Sequence, residues 1–326
     1  MKLPVAGALL LGLSLAQSPA PSAPGFTHAI AGNPGDAKGR GQGGYVLAGG
    51  GTDQEAAFKW LIERSGGGDI VVIRASGADA YNKWILDLGG ADSVETIIFT
   101  DRSAASDPFV IERLRRAEAV FIAGGDQSRY VNYWKGTPVE DELHALLERG
   151  GPIGGTSAGL AILGEFGFGA REGGLTSREA LPDPFVKAIE LDRDFLSLPH
   201  LERLITDTHF VERDRLGRLL TFLARIQKDG WSATPRALAV DRETAVLVDP
   251  SGRATLAGKN TAYFIRPTRA PDVCEPGKPL TMRGIEVYRI TASGTFDLPA
   301  WRGTGGLAYS LDVVNGVVTS SRGDLY

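Results

Sequence analysis

The chain has 326 residues, of which 43 are glycine and one is cysteine. Glycine is nearly twice its usual share of about 7 %, yet 43 % of the residues are hydrophobic, which excludes a disordered chain. A single cysteine excludes an internal disulfide framework and a cysteine-rich metal site. The net charge of −4 gives no basic surface for nucleic acid, so we expect no nucleic-acid partner.

Residues 1–16 have the pattern of a secretory signal peptide. Lys2 carries the early positive charge, an apolar run follows, and Ser14-Leu15-Ala16 offers small residues for cleavage. The run is shorter than the roughly 20 apolar residues of a membrane span, and no later run replaces it. We therefore expect export to the periplasm or the medium, with no membrane partner. Residues 17–43, rich in glycine, proline, serine and alanine, predict a flexible lead-in.

From residue 44 onward, short apolar strands alternate with helices. Five strands are predicted, at 45–48, 69–73, 96–100, 119–123 and 152–156. Continuous apolar strands separated by helices favour a parallel sheet that is covered on both faces. The pattern predicts a catalytic α/β domain over residues 44–266.

The C-terminal third has a different pattern. A long helix is predicted over 212–226, and short strands follow at 237–241, 244–249, 254–256, 262–265 and 285–290. We expect these strands to extend or flank the main sheet. Residues 267–326 are interpreted as a small β-rich extension, with little pattern beyond about residue 291. Cys274 lies outside every motif.

Residues 155–159, Gly-Thr-Ser-Ala-Gly, form a G-x-S-x-G sequence between the fifth strand and a helix. A sharp strand-to-helix turn exposes the hydroxyl of Ser157, and amides at the helix start can face the negative charge of an acyl intermediate. Such a nucleophile needs a base, and His209 has the most suitable context of the four histidines. Several acids between the two could orient the imidazole: Glu165, Glu172, Glu179, Asp183, Asp192 and Asp207.

Three ordered motifs resemble the cyanophycinases, a branch of a small serine peptidase family. They are FIAGGDQ at 121–127, GTSAG at 155–159 and DTHFVERDRLGRL at 207–219. The resemblance runs from about residue 43 to 265. It implies a flavodoxin-like, three-layer fold similar to class I glutamine amidotransferases, a mostly parallel central sheet, no metal or other cofactor, and a homodimer.

The resemblance also implies catalytic roles. Ser157 would be the nucleophile and His209 the base, and the amides of Gly125 and Ala158 would hold the oxyanion. The acid of this branch is a glutamate between serine and histidine, which indicates Glu179, with Glu172 as the alternative.

Cyanophycinases cleave a polymer with a poly-aspartate backbone and arginine on each side chain, releasing β-Asp-Arg. A free α-carboxylate on such a substrate can pair with a guanidinium through two hydrogen bonds. Arg213, Arg215 and Arg218 could supply that group, and we expect one or two of them to reach the site while another forms structural ion pairs. Gln127 and Asp207 resemble further substrate-binding residues of the family.

Three other functions stay open from sequence alone. A related peptidase could act on other β-aspartyl or aspartyl dipeptides. An α/β-hydrolase esterase shares the G-x-S-x-G motif, but its oxyanion motif is missing here and Ser157 and His209 are only 52 positions apart. An exported binding protein would need one of these two residues to be unusable.

Overall fold

The computed structural model describes residues 25–326. The predicted signal peptide and residues 17–24 lie outside this range. Between residues 25 and 326, no helix combines the length and the apolar character that crossing a bilayer requires.

Strands and helices are numbered here in chain order. The strands are β1 Phe26–Gly32, β2 Tyr45–Ala48, β3 Asp69–Arg74, β4 Ser93–Phe99, β5 Ala119–Ile122, β6 Ile153–Thr156, β7 Phe166–Phe168, β8 Leu191–Arg193, β9 Leu204–Asp207, β10 Arg236–Val240, β11 Thr244–Val248, β12 Arg253–Gly258, β13 Ala262–Pro267, β14 Met282–Ile290, β15 Thr295–Asp297, β16 Arg302–Thr304, β17 Leu307–Val314 and β18 Val317–Ser320. The α-helices are α1 Glu55–Ser65, α2 Ala80–Asp87, α3 Pro108–Arg116, α4 Gln127–Trp134, α5 Pro138–Glu148, α6 Ser177–Ala180 and α7 Leu216–Lys228.

The first sheet has a parallel centre with antiparallel edges. Its order is β1-β4-β3-β5-β6-β2-β11-β12-β15-β16, and the five strands from β4 to β2 run parallel to one another. Side chains alternate between its faces: Val46 packs in the cluster under α1 and α2, whereas Leu47 packs in the cluster under α3 and α5. The predicted α/β sandwich with a mostly parallel central sheet is confirmed.

A second sheet lies beside the first and has the order β18-β17-β14-β13-β10-β9-β7-β8. It packs with α7 around a hydrophobic cluster of its own, which includes Phe222 and the buried Cys274. Only the pairs β9–β10 and β7–β9 are parallel; the other pairs are antiparallel.

The structure differs from the prediction in two segments, the flexible lead-in at 17–43 and the small extension at 267–326. Residues Phe26–Gly32 form β1, an edge strand paired with β4, rather than a flexible segment. Within residues 267–326, β14 and β17 build the second sheet, and β15 joins the first through β12. Strands such as β17 alternate exposed and buried side chains, so they lack the continuous apolar run by which the central strands were recognised.

Candidate active site

Ser157 lies at a tight turn directly after β6. Its φ is +52°, a left-handed conformation that costs a non-glycine residue about 1–3 kcal/mol. The turn closes only because small residues surround it. A Cβ on Gly159 would lie 2.0 Å from the carbonyl oxygen of Ile122, and a Cβ on Gly155 would lie 2.6 Å from the carbonyl carbon of Gly159. The G-x-S-x-G glycines are therefore required by close backbone approach.

His209 comes from the second sheet, two residues after β9. Its Nε2 lies 3.0 Å from Ser157 Oγ, which is hydrogen-bond distance. The end of β2 holds both residues: the Ser157 amide donates to the carbonyl of Ala48 at 3.0 Å, and the His209 amide donates to the carbonyl of Gly49 at 2.8 Å. The two sheets thus meet at the proposed nucleophile and base.

Glu212, and not Glu179, contacts the histidine. Glu212 Oε2 lies 2.9 Å from His209 Nδ1, and Arg242 Nη1 donates to Glu212 Oε1 at 3.0 Å. Glu179 instead caps α6, where its carboxylate accepts hydrogen bonds from the Thr176 amide and hydroxyl. The prediction of Glu179 as the acid that orients His209 is wrong for this structure.

The alternative acid, Glu172, is also engaged elsewhere, in an exposed ion pair of 2.8 Å with Lys187. The predicted acids all lie between Ser157 and His209, whereas Glu212 lies three residues beyond the histidine. The helix was predicted to begin at 212, but α7 begins at Leu216, because His209 and Asp214 both adopt positive φ and form an irregular turn. The available signal was the His-x-x-Glu spacing.

The electrostatics of the site favour a neutral imidazole. Burial lowers the pKa of His209 below its usual value near 6.5, and the nearby Arg213 and Arg215 act in the same direction, whereas Glu212 opposes them. The hydrogen bond from His209, in turn, is the main reason that the pKa of Glu212 is lowered. A neutral imidazole beside a serine hydroxyl can accept its proton.

Asp241, at the end of β10, supports the turn that carries His209 and Glu212. Its Oδ1 accepts a hydrogen bond from the Val211 amide at 3.0 Å, and its Oδ2 accepts one from the Thr261 hydroxyl. The carboxylate is buried, and burial raises its pKa. Asp241 therefore fixes the backbone between His209 and Glu212, a role that the sequence reading missed.

The predicted oxyanion donors lie beside the serine. A Cβ on Gly124 would lie 3.5 Å from Ser157 Cβ, which places the 124–125 loop against the elbow. Within residues 25–326, the amides of Gly125 and Ala158 donate to no backbone or side-chain acceptor. Both N–H groups are thus free to bind a developing oxyanion.

Of the five residues predicted to bind substrate, two are buried and three are partly or fully exposed. Asp207 and Arg218, 2 % and 4 % exposed, form a buried ion pair in which Arg218 Nε donates to Asp207 Oδ2 at 2.9 Å. Arg215 is partly buried and donates to the carbonyl of Thr208 at 2.7 Å. Arg213 is exposed beside His209, and Gln127 is half-buried at the start of α4.

A metal is not suggested by these side chains. Between residues 25 and 326 no group of three or more histidine, cysteine, aspartate or glutamate side chains is arranged to hold a metal ion. The side chains form one hydrogen-bonded chain of serine, histidine and carboxylate, with free amides beside it. Hydrolases that act by acyl transfer have this arrangement.

The chain matches the model of peptidase family S51 over residues 81–231, a segment that holds Ser157, His209 and Glu212. It is 30 % identical over 241 residues to the cyanophycinase of Synechococcus elongatus, covering 70 % of this chain and 69 % of that protein. It is 27 % identical over 217 residues to the cyanophycinase of Trichormus variabilis, covering 64 % and 66 %. The chain thus spans about two thirds of the length of these relatives.

The fold has a solved counterpart. The crystal structure of a peptidase from an acI-B1 Actinobacterium superposes with a TM-score of 0.52 at 17 % identity, covering 80 % of this chain and 98 % of that one. This likeness concerns the fold alone. The chain belongs to peptidase family S51, and within it resembles the cyanophycinases.

Proposed function

We propose that this peptidase is a serine hydrolase that degrades cyanophycin-like polymers to β-Asp-Arg by means of Ser157, His209 and Glu212. The observation that supports the proposal is the hydrogen-bonded chain from Ser157 Oγ through His209 to Glu212 Oε2, with distances of 3.0 and 2.9 Å. The chain order is serine, histidine, acid, instead of the expected serine, acid, histidine.

Each group in this proposal has a defined role, and His209 acts in turn as base and acid. His209 Nε2 takes the proton of Ser157 as its oxygen attacks the carbonyl carbon of a backbone amide between two aspartyl units. The amides of Gly125 and Ala158 bind the oxyanion. His209 then protonates the leaving amine, so that the C–N bond breaks and an acyl-enzyme remains. A water molecule, deprotonated by His209, attacks that ester and restores the serine.

Glu212 holds the imidazole in the required orientation. It accepts the Nδ1–H hydrogen bond, which leaves Nε2 as the basic nitrogen, and it stabilises the imidazolium that forms during each half-reaction. Arg242 in turn holds the second oxygen of Glu212.

The arginines beside the site suit an anionic substrate. Arg213 is exposed close to His209, and in the proposal its guanidinium binds the free α-carboxylate at the end of the poly-aspartate chain. Arg215 adds positive charge from a half-buried position, while the buried Arg218 stabilises the site through Asp207.

Incubation of the purified protein with insoluble cyanophycin tests the proposal. We expect soluble β-Asp-Arg, identified by mass, and a loss of at least about 10³-fold in rate for Ser157→Ala, because acylation has no other nucleophile. Wild-type turnover in Ser157→Ala would refute the nucleophile. If the wild type releases no β-Asp-Arg but hydrolyses members of a β-aspartyl and aspartyl dipeptide library, the activity is peptidase but the polymer is not its substrate.

A further inference from the structure

A cavity of about 340 Å³ opens at the edge of the first sheet that carries Ser157. One wall follows β2 and the other is the first turn of α2, which follows β3. It is lined by Thr52, Asp53, Glu55, Ala80, Tyr81 and Trp84. Two carboxylates and two aromatic rings thus face one space, and no basic side chain lines it.

The aromatic wall is rigidly held. Tyr81 and Trp84 are three positions apart on α2 and therefore lie on one face of the helix. The ring of Trp84 contacts that of Phe58 edge-on at 4.7 Å between centroids, and Tyr81 stacks on Phe58 at 5.9 Å. The Tyr81 hydroxyl donates to Asp53 Oδ2, which fixes the carboxylate against the rings.

One oxygen of the Asp53 carboxyl group is left without a partner. Its Oδ1 is buried, and among the described residues it accepts no hydrogen bond of standard geometry. Burial raises the pKa of Asp53, although the hydroxyls of Tyr81 and Thr156 and the charge of Arg74 oppose that shift. A carboxylate in this condition gains more than an exposed one from a cationic partner.

The neighbouring arginine is already engaged. Arg74 donates to the carbonyls of Ser76 and Ala78, and its guanidinium lies 5.9 Å from the centre of the Tyr81 ring. It is not among the residues that line the cavity. Arg74 therefore moderates the charge of Asp53 without filling the space in front of it.

The cavity is close to the reacting groups. A Cβ on Gly50 would lie 2.3 Å from His209 Nε2, and Asp53 is three residues further along, a reach of at most about 11 Å. From the other side, Asp53 lies near the Thr156 hydroxyl, and Thr156 directly precedes Ser157. A side chain of a substrate bound at Ser157 can thus extend into the cavity.

We propose that this cavity binds the guanidinium of an arginine side chain carried by the substrate, with Asp53 as its ion-pair partner and Trp84 and Tyr81 as its aromatic walls. A planar cation fits a carboxylate flanked by aromatic rings better than an anion or a neutral amide does. The inference rests on the proposed function for the source of the arginine. It assigns selectivity for arginine to Asp53, whereas Arg213, near His209, binds the free α-carboxylate at the end of the poly-aspartate chain.

The test compares two synthetic oligomers, (β-Asp-Arg)₃ and (β-Asp-citrulline)₃, since citrulline has the shape of arginine without its charge. For the wild type we expect kcat/KM to be at least about tenfold higher on the arginine oligomer. Asp53→Asn should reduce that value about tenfold and change turnover of the citrulline oligomer less than twofold. Asp87→Asn, an equal charge change on the exposed far end of α2, is the control and should leave both unchanged.

Equal losses on both oligomers in Asp53→Asn, or no loss, would overturn the assignment. Trp84→Leu provides a second variant should Asp53→Asn fail to fold, and should lower the arginine preference about threefold to fivefold. Binding separates this inference from the proposed function. In the Ser157→Ala background, L-arginine should bind more tightly than L-citrulline by calorimetry, and Asp53→Asn should abolish the difference.

If the wild type cleaves neither oligomer, the proposed function fails and the binding measurement alone decides the cavity. Arginine binding that Asp53→Asn removes would then support a guanidinium site in a peptidase of other specificity. Equal or undetectable binding of arginine and citrulline would refute the site.

Discussion

Ser157 and His209 reach the same point from two differently built regions. The serine elbow is fixed by backbone: glycines at 155 and 159 allow atoms of the main chain to meet, and the turn is buried. The histidine side of the site is fixed by side chains, since Glu212 is 36 % exposed and is held by Arg242, which is itself 45 % exposed. We therefore expect small steric changes in the first region to abolish activity. Changes of charge, pH or salt in the second region should alter activity gradually.

The largest effect is expected where the backbone of the first region meets His209. In Gly50→Ala the new Cβ would lie 2.3 Å from His209 Nε2 and would displace the ring, and a displacement of about 1 Å can cost about 10²-fold in rate. We expect kcat to fall about 10²-fold or more in a cleavage assay.

Gly89→Ala is the matched control for this variant. Gly89 also has a positive φ, of +81°, but nothing lies within 4 Å of its added Cβ. It should lower the thermal midpoint slightly and leave kcat unchanged. Similar losses of kcat in both variants would show that backbone strain, and not the contact with His209, is responsible.

An intermediate effect is expected at Glu212. Glu212→Gln should lower kcat about tenfold to fiftyfold, less than the roughly 10⁴-fold loss known for a buried triad acid, because water can reach this position. The carboxylate favours the protonated imidazole, so its removal should lower the pKa of His209 further. The acid limb of the pH profile of kcat/KM should then move to lower pH.

Glu243→Gln is the control for the pH measurement, since Glu243 also contacts Arg242, at 3.2 Å, but does not contact His209. It should leave the acid limb in place. If the acid limb does not move in Glu212→Gln, Glu212 does not influence the pKa of His209.

The smallest effect is expected at Arg242. Arg242→Gln removes an exposed ion pair, and such pairs contribute little, so we expect kcat to fall about twofold to fivefold. Because salt screens exposed charges, added NaCl should reduce wild-type kcat toward that of the variant. Lys259→Gln removes another exposed partner of Glu243 but keeps the pair of Arg242 with Glu212, so it should retain both the wild-type kcat and the wild-type response to salt. A salt response that persists in Arg242→Gln would place its origin elsewhere.

The difference between a region fixed by backbone and one fixed by side chains also explains which site residues could be predicted from the sequence. Ser157, with its glycines and its strand, was found because close backbone approach leaves a local pattern of small residues. His209 was found through its motif. Glu212 was missed because its contact depends on the turn between β9 and α7, whose positive φ values at His209 and Asp214 no local pattern reveals.

The fold shows a related limit. The continuous apolar strands β2 to β6 were placed correctly, since burial on both faces gives an unbroken hydrophobic run. The edge strand β1 and the strands beyond residue 290 have one solvated face, so that their alternating side chains resembled loop. No sequence motif marks the partner of Asp53, because its contact with Tyr81 joins residues 28 positions apart.

The carbonyls of Ala48 and Gly49 accept the amide hydrogen bonds of Ser157 and His209, respectively. One strand end therefore serves as a common anchor for residues far apart in the sequence, one from each sheet. Local opening of either turn strains the other, so these two amides belong to one cooperative unit and should exchange with deuterium at similar rates. During refolding, catalytic competence cannot precede the docking of the two sheets, so recovered activity should not appear before the phase in which these two hydrogen bonds form.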